Sequence, residues 1–449
     1  MPSGGFKVIV VGGGPVGLTA AHALTRANID FVVLERRSCI VIDAGASLVL
    51  VPMGMRVLGQ LGLLDSLKKV SSPLPQIGRC DHNGNDLGVM TIFEGIKKNH
   101  GEYPRVLGRH ELTKILFESL PRESQERMRP NKQVQNISTS KDGVTVSCTD
   151  GTSFEGSIVI GADGCHSPVR EQMRLMALNT EPTSGAALNA ENPYLTTYRC
   201  FWVRFPTKTG LQPGQVNETH GNGLGIQVFA GDDTAVMGLY ERLEKPTKLR
   251  ARYTEIDEEA FVGRWGHLPI AKGVTVRDAY NARIHTGLVD LEEGVVEHWS
   301  WGRIVLVGDA KHKFTPSTGS GFNNGVADVA VLMNQLHRIV GSNDNRPQSQ
   351  STSPSMNDIT TAFKIYQDTR YDSVKAGCEQ SSGATAMATW QSTGLWFFDK
   401  YIFPSAFLQR FLANRGSKTI AKTPVLDFVS GAEPMNGVVP WVQPIKSSF

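Results

Sequence analysis

The stretch VIVVGGGPVGLTAAHALTRANIDFVVLERR, residues 8–37, constrains the fold more than any other part of the chain. An apolar, β-branched run leads into Gly12, Gly14 and Gly17, which form a GxGxxG pattern. An alanine-rich helical segment then runs from about Val16 to Arg26, and a second apolar run ends at Glu35. Each glycine has its own steric task. The first permits a tight turn, the second lets a pyrophosphate approach the backbone, and the third lets the helix lie close to the strand. The helix start offers unpaired N–H groups and the positive end of its dipole to an anion. Glu35 lies 18 residues after Gly17, where a carboxylate can take a ribose hydroxyl. Glycine-rich turns are common in purely structural roles. The strand before this one, the helix after it and the acid beyond it predict a dinucleotide cradle in a βαβ unit, hence an α/β fold.

Composition bounds the rest. The chain has 449 residues, of which 40% are hydrophobic and 20% charged, so a large core is available. The charge balance is 46 − 43 = +3, which predicts no nucleic-acid surface. Six scattered cysteines form no CxxC pair, which points to a reducing compartment and neither a disulfide framework nor a metal site. No signal peptide and no uninterrupted apolar span is visible, so the expected location is intracellular, either cytoplasmic or membrane-associated.

The pattern of elements predicts a discontinuous nucleotide-binding domain from residues 1–175 and 300–340, with a β-rich substrate domain at 176–299 between its parts. Strands are expected near 134–138, 144–148, 157–160, 200–205, 225–229, 235–240 and 303–307, and helices near 55–70, 109–120 and 256–265. Residues 341–358 are polar and rich in Ser, Pro and Asn and read as a flexible surface loop; 359–449 read as a helical C-terminal region.

The cradle alone does not choose between NAD and FAD. Two later stretches do. IVIGADGCHSPVR (158–170) is a strand running into Asp163-Gly164, and RIVLVGDAKHKFTPSTGSGFNNGVAD (303–328) is a strand running into Gly308-Asp309, a glycine-rich loop and a helix from about Gly321. With these three signatures in order, the chain resembles the flavin monooxygenases of the para-hydroxybenzoate hydroxylase type. Residues 45–65 and 312–324 further resemble fungal epoxidases of meroterpenoid and indole-diterpene pathways.

The resemblance implies a Rossmann-like FAD-binding domain of the GR2 type. It implies that Glu35 holds the adenosine ribose, that Arg109 contacts the FAD, and that the backbone around Ala46 and Val49 passes the flavin. Asp309 would hold the ribityl hydroxyls, and Asp163 would belong to a motif coupling FAD to NADPH. Gly321 and Phe322 would lie against the flavin ring, with the helix N-terminus favouring negative charge on its pyrimidine end. Read from the residues alone, Asp309 could be a turn cap and Arg109 a surface arginine.

The implied cycle uses NADPH or NADH to reduce FAD and captures O2 as a flavin C4a-hydroperoxide. Its distal oxygen then passes to a hydrophobic small molecule, as an epoxide on a prenyl-chain alkene or as a phenol on an aromatic ring. A non-catalytic flavoprotein is the alternative from another class. No triad is visible and no catalytic side chain is assigned. Lys311 and Lys313 flank His312; an acid–base cluster is the alternative reading, but the lysines are expected to be solvated loop residues, and Lys311 stands where relatives more often have a small or apolar residue. Tyr194, Tyr198, Arg199, His220 and Tyr240 are expected to be structural or surface residues. Phe201, Trp202, Val203, Ile226, Val228, Phe229 and Met237 suit either pocket wall or core. The FVGRWGH at 261–267 mimics a Baeyer–Villiger fingerprint but lacks its tail. Residues 386–412 are aromatic-rich but broken by Asp399, Lys400 and Pro404, which suits helices packed on the domain or in peripheral contact with a membrane.

Overall fold

In the computed structural model, which describes residues 5–43, 47–180, 189–341 and 354–447, strand Lys7–Val11 runs into the helix Pro15–Arg26, and strand Asp30–Leu34 returns beside the first. Val10 lies opposite Val33 on one side and Ile160 on the other, both in parallel pairing. The full sheet has six strands in the order Ser300–Trp301, Ile304–Leu306, Ile158–Gly161, Lys7–Val11, Asp30–Leu34 and Met128–Arg129. Ser300–Trp301 is antiparallel to its neighbour.

Val8 to Val11 are all buried because both sheet faces are covered. Val8 and Val10 pack with Leu18, Ala20 and Leu332 of the helices Pro15–Arg26 and Ser320–Gly341. Ile9 and Val11 point the other way, toward Ile137 and Val146 of a three-stranded antiparallel sheet. Buried Val and Leu side chains at such positions contribute roughly 1.5–3 kcal/mol each.

The second large sheet has eight strands, in the order His312–Lys313, His285–Val295, Leu195–Pro206, Thr234–Thr247, Leu224–Ala230, Val216–His220, Ile77–Asp81 and Asp86–Met90. One face packs under the helices Glu255–Trp265 and Val276–Asn281, burying Phe201, Val203, Ile226, Val228 and Met237 in a closed core. Those five are therefore core, as one of the two sequence readings had it. Trp202 alternates to the opposite side, with Tyr198, Cys200, Tyr240 and Leu291.

Two boundaries differ from the sequence reading. Strand Ile77–Asp81 pairs in parallel with Val216–His220, Arg79 opposite Glu218, so residues 77–90 belong to the substrate sheet although they lie inside 1–175. Arg79 and Asp81 are buried in that strand, and a short window containing two charges gives no β signal. The C-terminal region is helical only to Ile420: Met356–Ala388 is one long helix, Thr393–Phe397 and Ala406–Ile420 follow, and an irregular tail folds back. Arg56 clasps that tail, pairing with Glu433 at 2.7 Å and stacking 4.3 Å from the Trp441 ring centre. The expected loop at 341–358 is bounded by helices ending at Gly341 and beginning at Met356, and most of it lies outside the described residues.

Candidate active site

Gly12 has φ +107°, and a Cβ there would stand 2.4 Å from the Ala162 carbonyl oxygen. A Cβ on Gly17 would stand 1.9 Å from the Gly12 carbonyl oxygen, so strand and helix touch backbone to backbone. Nothing lies within 4 Å of a Cβ on Gly14. That open side faces a cleft of about 160 Å³ lined in part by Gly13, Gly14, Pro15, Arg37 and Arg109. The helix N-cap is Gly14, with no side-chain cap and no acid in the first turn. Its leading N–H groups and dipole are left for an anionic ligand.

Glu35 is buried at the end of its strand. Its Oε2 accepts from the Gly13 N–H at 2.8 Å and its Oε1 from the Arg37 N–H at 2.9 Å. Each oxygen keeps a lone pair for a further donor such as a ribose hydroxyl. Arg109 heads the helix Arg109–Glu118 and projects into the same cleft. Partial desolvation lowers its pKa from the ordinary arginine value, while Asp309 and Glu35 nearby oppose the drop.

Asp309 lies on a single turn at the end of strand Ile304–Leu306. Burial pushes its carboxyl up, but Lys313 at 2.6 Å, with His312 and Arg109, reverses this and holds it below the usual range. It is therefore an ionised acceptor. Gly321 is adjacent, with its Cβ position 3.9 Å from Asp309 Oδ1, in the first turn of Ser320–Gly341, which carries no acid. Phe322 follows and packs half-buried on the core. Val49, on strand Ser47–Leu50, touches Gly319, and its carbonyl accepts from Asn323 Nδ2 at 2.7 Å. Ala46 lies outside the described residues. Asp163 meets the cradle through its backbone, its Cα 3.0 Å from a Cβ placed on Gly12, while its Oδ2 accepts from the Val169 N–H at 2.9 Å, capping the helix Pro168–Thr180, and burial raises its pKa.

These residues fit an FAD. An uncapped helix start, an open Gly14, a buried ribose-type carboxylate and a second carboxylate beside another uncharged helix start are what an adenine dinucleotide with a polyol arm requires.

Some site residues were not legible beforehand. Asn323 joins the two cofactor segments, since it also accepts from the Val51 N–H at 3.1 Å and donates to the Gly319 carbonyl at 2.7 Å. Of the two lysines expected to be solvated, Lys313 is part-buried against Asp309 and Lys311 is fully buried, as is His312 between them. Lys311 Nζ is 3.2 Å from Asp328 Oδ1 and 3.1 Å from the Trp299 ring centre; His312 Nε2 is 2.7 Å from Asp328 Oδ2. Arg370 Nε donates to the same Asp328 at 3.0 Å. The departure at Lys311 is thus compensated by an acid one helix away. Among the described residues Cys165, His166 and Glu292 also converge, with the Cys165 thiol donating to Glu292 Oε2 at 2.5 Å. Burial pushes that thiol above its usual range, so it is held protonated.

The geometry, with its two large sheets and the cradle at the end of one, fits a flavoprotein of the FAD-binding α/β class. The family described as "FAD binding domain" matches residues 5–345, and the chain belongs to it. It is 32% identical over 429 residues to the FAD-dependent monooxygenase PenE of Penicillium thymicola, covering 94% of this chain and 87% of that one. It is 33% identical over 457 residues to the FAD-dependent monooxygenase SrdH of Neurospora crassa, covering 98% and 99%. Among solved structures, Klebsiella pneumoniae HpxO with FAD and uric acid superposes with a TM-score of 0.70 at 21% identity, covering 92% of this chain and 96% of that one. The chain is accordingly an FAD-dependent monooxygenase.

Proposed function

We propose that this monooxygenase uses NADPH or NADH and O2 to epoxidise a prenyl-chain alkene on a terpenoid or meroterpenoid intermediate of secondary metabolism. The observation that supports this reading is a set of part-buried apolar side chains beside the cofactor segment: Val49, Val106 and Phe229 lie over the buried Leu74, Ile77 and Val216. Such a set suits a hydrocarbon tail. Bound FAD supplies hydride acceptance and oxygen activation; the protein must exclude water and place the π-bond. Glu35, Arg109 and Asp309 hold the cofactor, and the uncharged start of Ser320–Gly341 stabilises negative charge near it.

The test is product analysis with NADPH, isotopically labelled dioxygen and candidate prenylated substrates. One labelled oxygen in the polyene tail supports the reading. An intact tail with a new phenol overturns it in favour of aromatic hydroxylation.

A peripheral membrane contact through residues 386–412 is part of the same proposal. No helix among the described residues is long and apolar enough to cross a membrane. Phe407 is nevertheless 82% exposed, Phe397, Tyr401 and Phe411 are exposed, and Arg410 is exposed beside them. Aromatic groups with a flanking cation suit an anionic lipid surface.

A further inference from the structure

The face of the eight-stranded sheet turned toward the cofactor loop carries a buried polar chain that the sequence did not suggest. His220 lies between two carboxylates: Nδ1 is 2.8 Å from Asp399 Oδ2 and Nε2 is 3.1 Å from Glu218 Oε2. Arg79 pairs with Asp399 from the neighbouring strand, and Trp390 Nε1 donates to Asp399 at 2.8 Å. Gln227 Nε2 donates to Glu218 Oε1 at 2.7 Å and to the Ser317 carbonyl at 3.2 Å, while its Oε1 accepts from the Tyr240 hydroxyl at 2.9 Å. All of Arg79, Glu218, His220, Gln227, Tyr240 and Asp399 are buried. Ser317 sits on the loop between Asp309 and the helix at Ser320, two residues before the glycine that touches Val49.

The polarity of this chain has one solution. A carboxylate only accepts, so Glu218 compels Gln227 to present its NH2 end to Glu218 and Ser317 and its carbonyl to Tyr240. Two flanking carboxylates make both ring nitrogens of His220 donors, and the four charges of Glu218, Asp399, His220 and Arg79 then cancel. Burial lowers the His220 pKa, but Asp399 and Glu218 outweigh it and the net shift is upward. His82 is near enough to feel the His220 charge: burial first, and that charge among the lesser causes, lower its pKa, and its Nε2 is 2.9 Å from the Leu224 carbonyl oxygen.

We propose that Glu218 is a positioning residue of the oxygen-transfer site: anchored by His220, it orients Gln227, whose amide holds the Ser317 carbonyl and with it the loop that lies against the flavin. This rests on the assignment of the 309–321 loop to the cofactor.

The test uses the full chain loaded with FAD, and compares wild type with Glu218→Gln and Gln227→Leu. A glutamine at 218 offers one acceptor where His220 and Gln227 need two, so the Gln227 orientation is no longer determined. A leucine at 227 cuts the link to Ser317 but leaves Glu218 and His220 paired. Both variants are expected to bind FAD about tenfold more weakly and to shift the visible absorption of the bound flavin. Ring-nitrogen NMR of His220 in the apo chain separates them: the imidazolium should titrate at lower pH in Glu218→Gln and at the wild-type pH in Gln227→Leu. Wild-type affinity and flavin spectrum in Gln227→Leu overturn the proposal, and that variant decides alone if Glu218→Gln does not fold. A wild type that binds no FAD would instead overturn the cofactor assignment.

Discussion

The two sheets handle charge in opposite ways. In the six-stranded, mostly parallel sheet the interior strands are charged only at their first residues, Lys7 and Asp30, and the acids Glu35 and Asp309 stand just past the strand ends. In the eight-stranded sheet Arg79, Glu218 and His220 are buried within or at the end of the strands themselves and, with Asp399, neutralise one another. The first arrangement leaves unsatisfied donors and acceptors for a cofactor. The second leaves almost none, which is what a rigid support for a loop needs. Holding a ligand and holding a loop thus place the same residue types in different parts of a strand.

The comparison breaks most sharply at the cradle. Gly17→Val should abolish FAD binding, because its side chain has no room against the Gly12 carbonyl; a purified variant with undiminished flavin absorbance per chain would show that the backbone contact is dispensable. Glu35→Ala and Asp309→Ala should each weaken FAD binding about ten- to a hundredfold, the effect of losing hydrogen bonds to a charged group worth roughly 1.5–3 kcal/mol. Fluorescence titration of apo-protein with FAD measures this, and unchanged affinity in both would remove these residues from the site.

The next effect is on stability. Burial pulls the Lys311 pKa from 10.5 down to about 7, with Asp328 opposing. Between those values the unfolded chain binds a proton that the native chain does not. Wild-type stability therefore rises with pH across that window, by at most ~1.4 kcal/mol per pH unit, and the lysine's cost is fully present below it. Lys311→Met should flatten that slope, read as the denaturant midpoint at several pH values in the window. A variant slope equal to wild type would mean that Lys311 titrates as if solvated.

The smallest structural effect is expected on the exposed C-terminal helix. Phe407→Ser with Phe411→Ser should leave the melting temperature nearly unchanged and reduce flotation with anionic vesicles several-fold. Unchanged flotation sinks the membrane contact.

Much of the cofactor half could be read from the sequence because its signals are local. The GxGxxG turn, Glu35 and the Gly308-Asp309 turn each lie within one strand–turn–helix unit, where sterics and chain direction determine what a residue can do. Arg109 was less legible: it heads a helix of ordinary surface pattern, and only the packing of that helix turns it into the cleft. Asn323 and Lys311 were opaque for the same reason, since their partners are Val49, Val51 and Asp328 on other elements.

The sequence by itself determined the cradle, because glycine sterics and helix dipoles act over a few residues, and the order of its three strand-end turns carried the resemblance that implied the class of flavoprotein. Only the tertiary structure decided that residues 77–90 cross into the substrate sheet, and that Arg79, Glu218, His220 and Asp399 meet. Ion pairing in a desolvated interior depends on distances between residues up to 320 positions apart, and no local pattern encodes those distances.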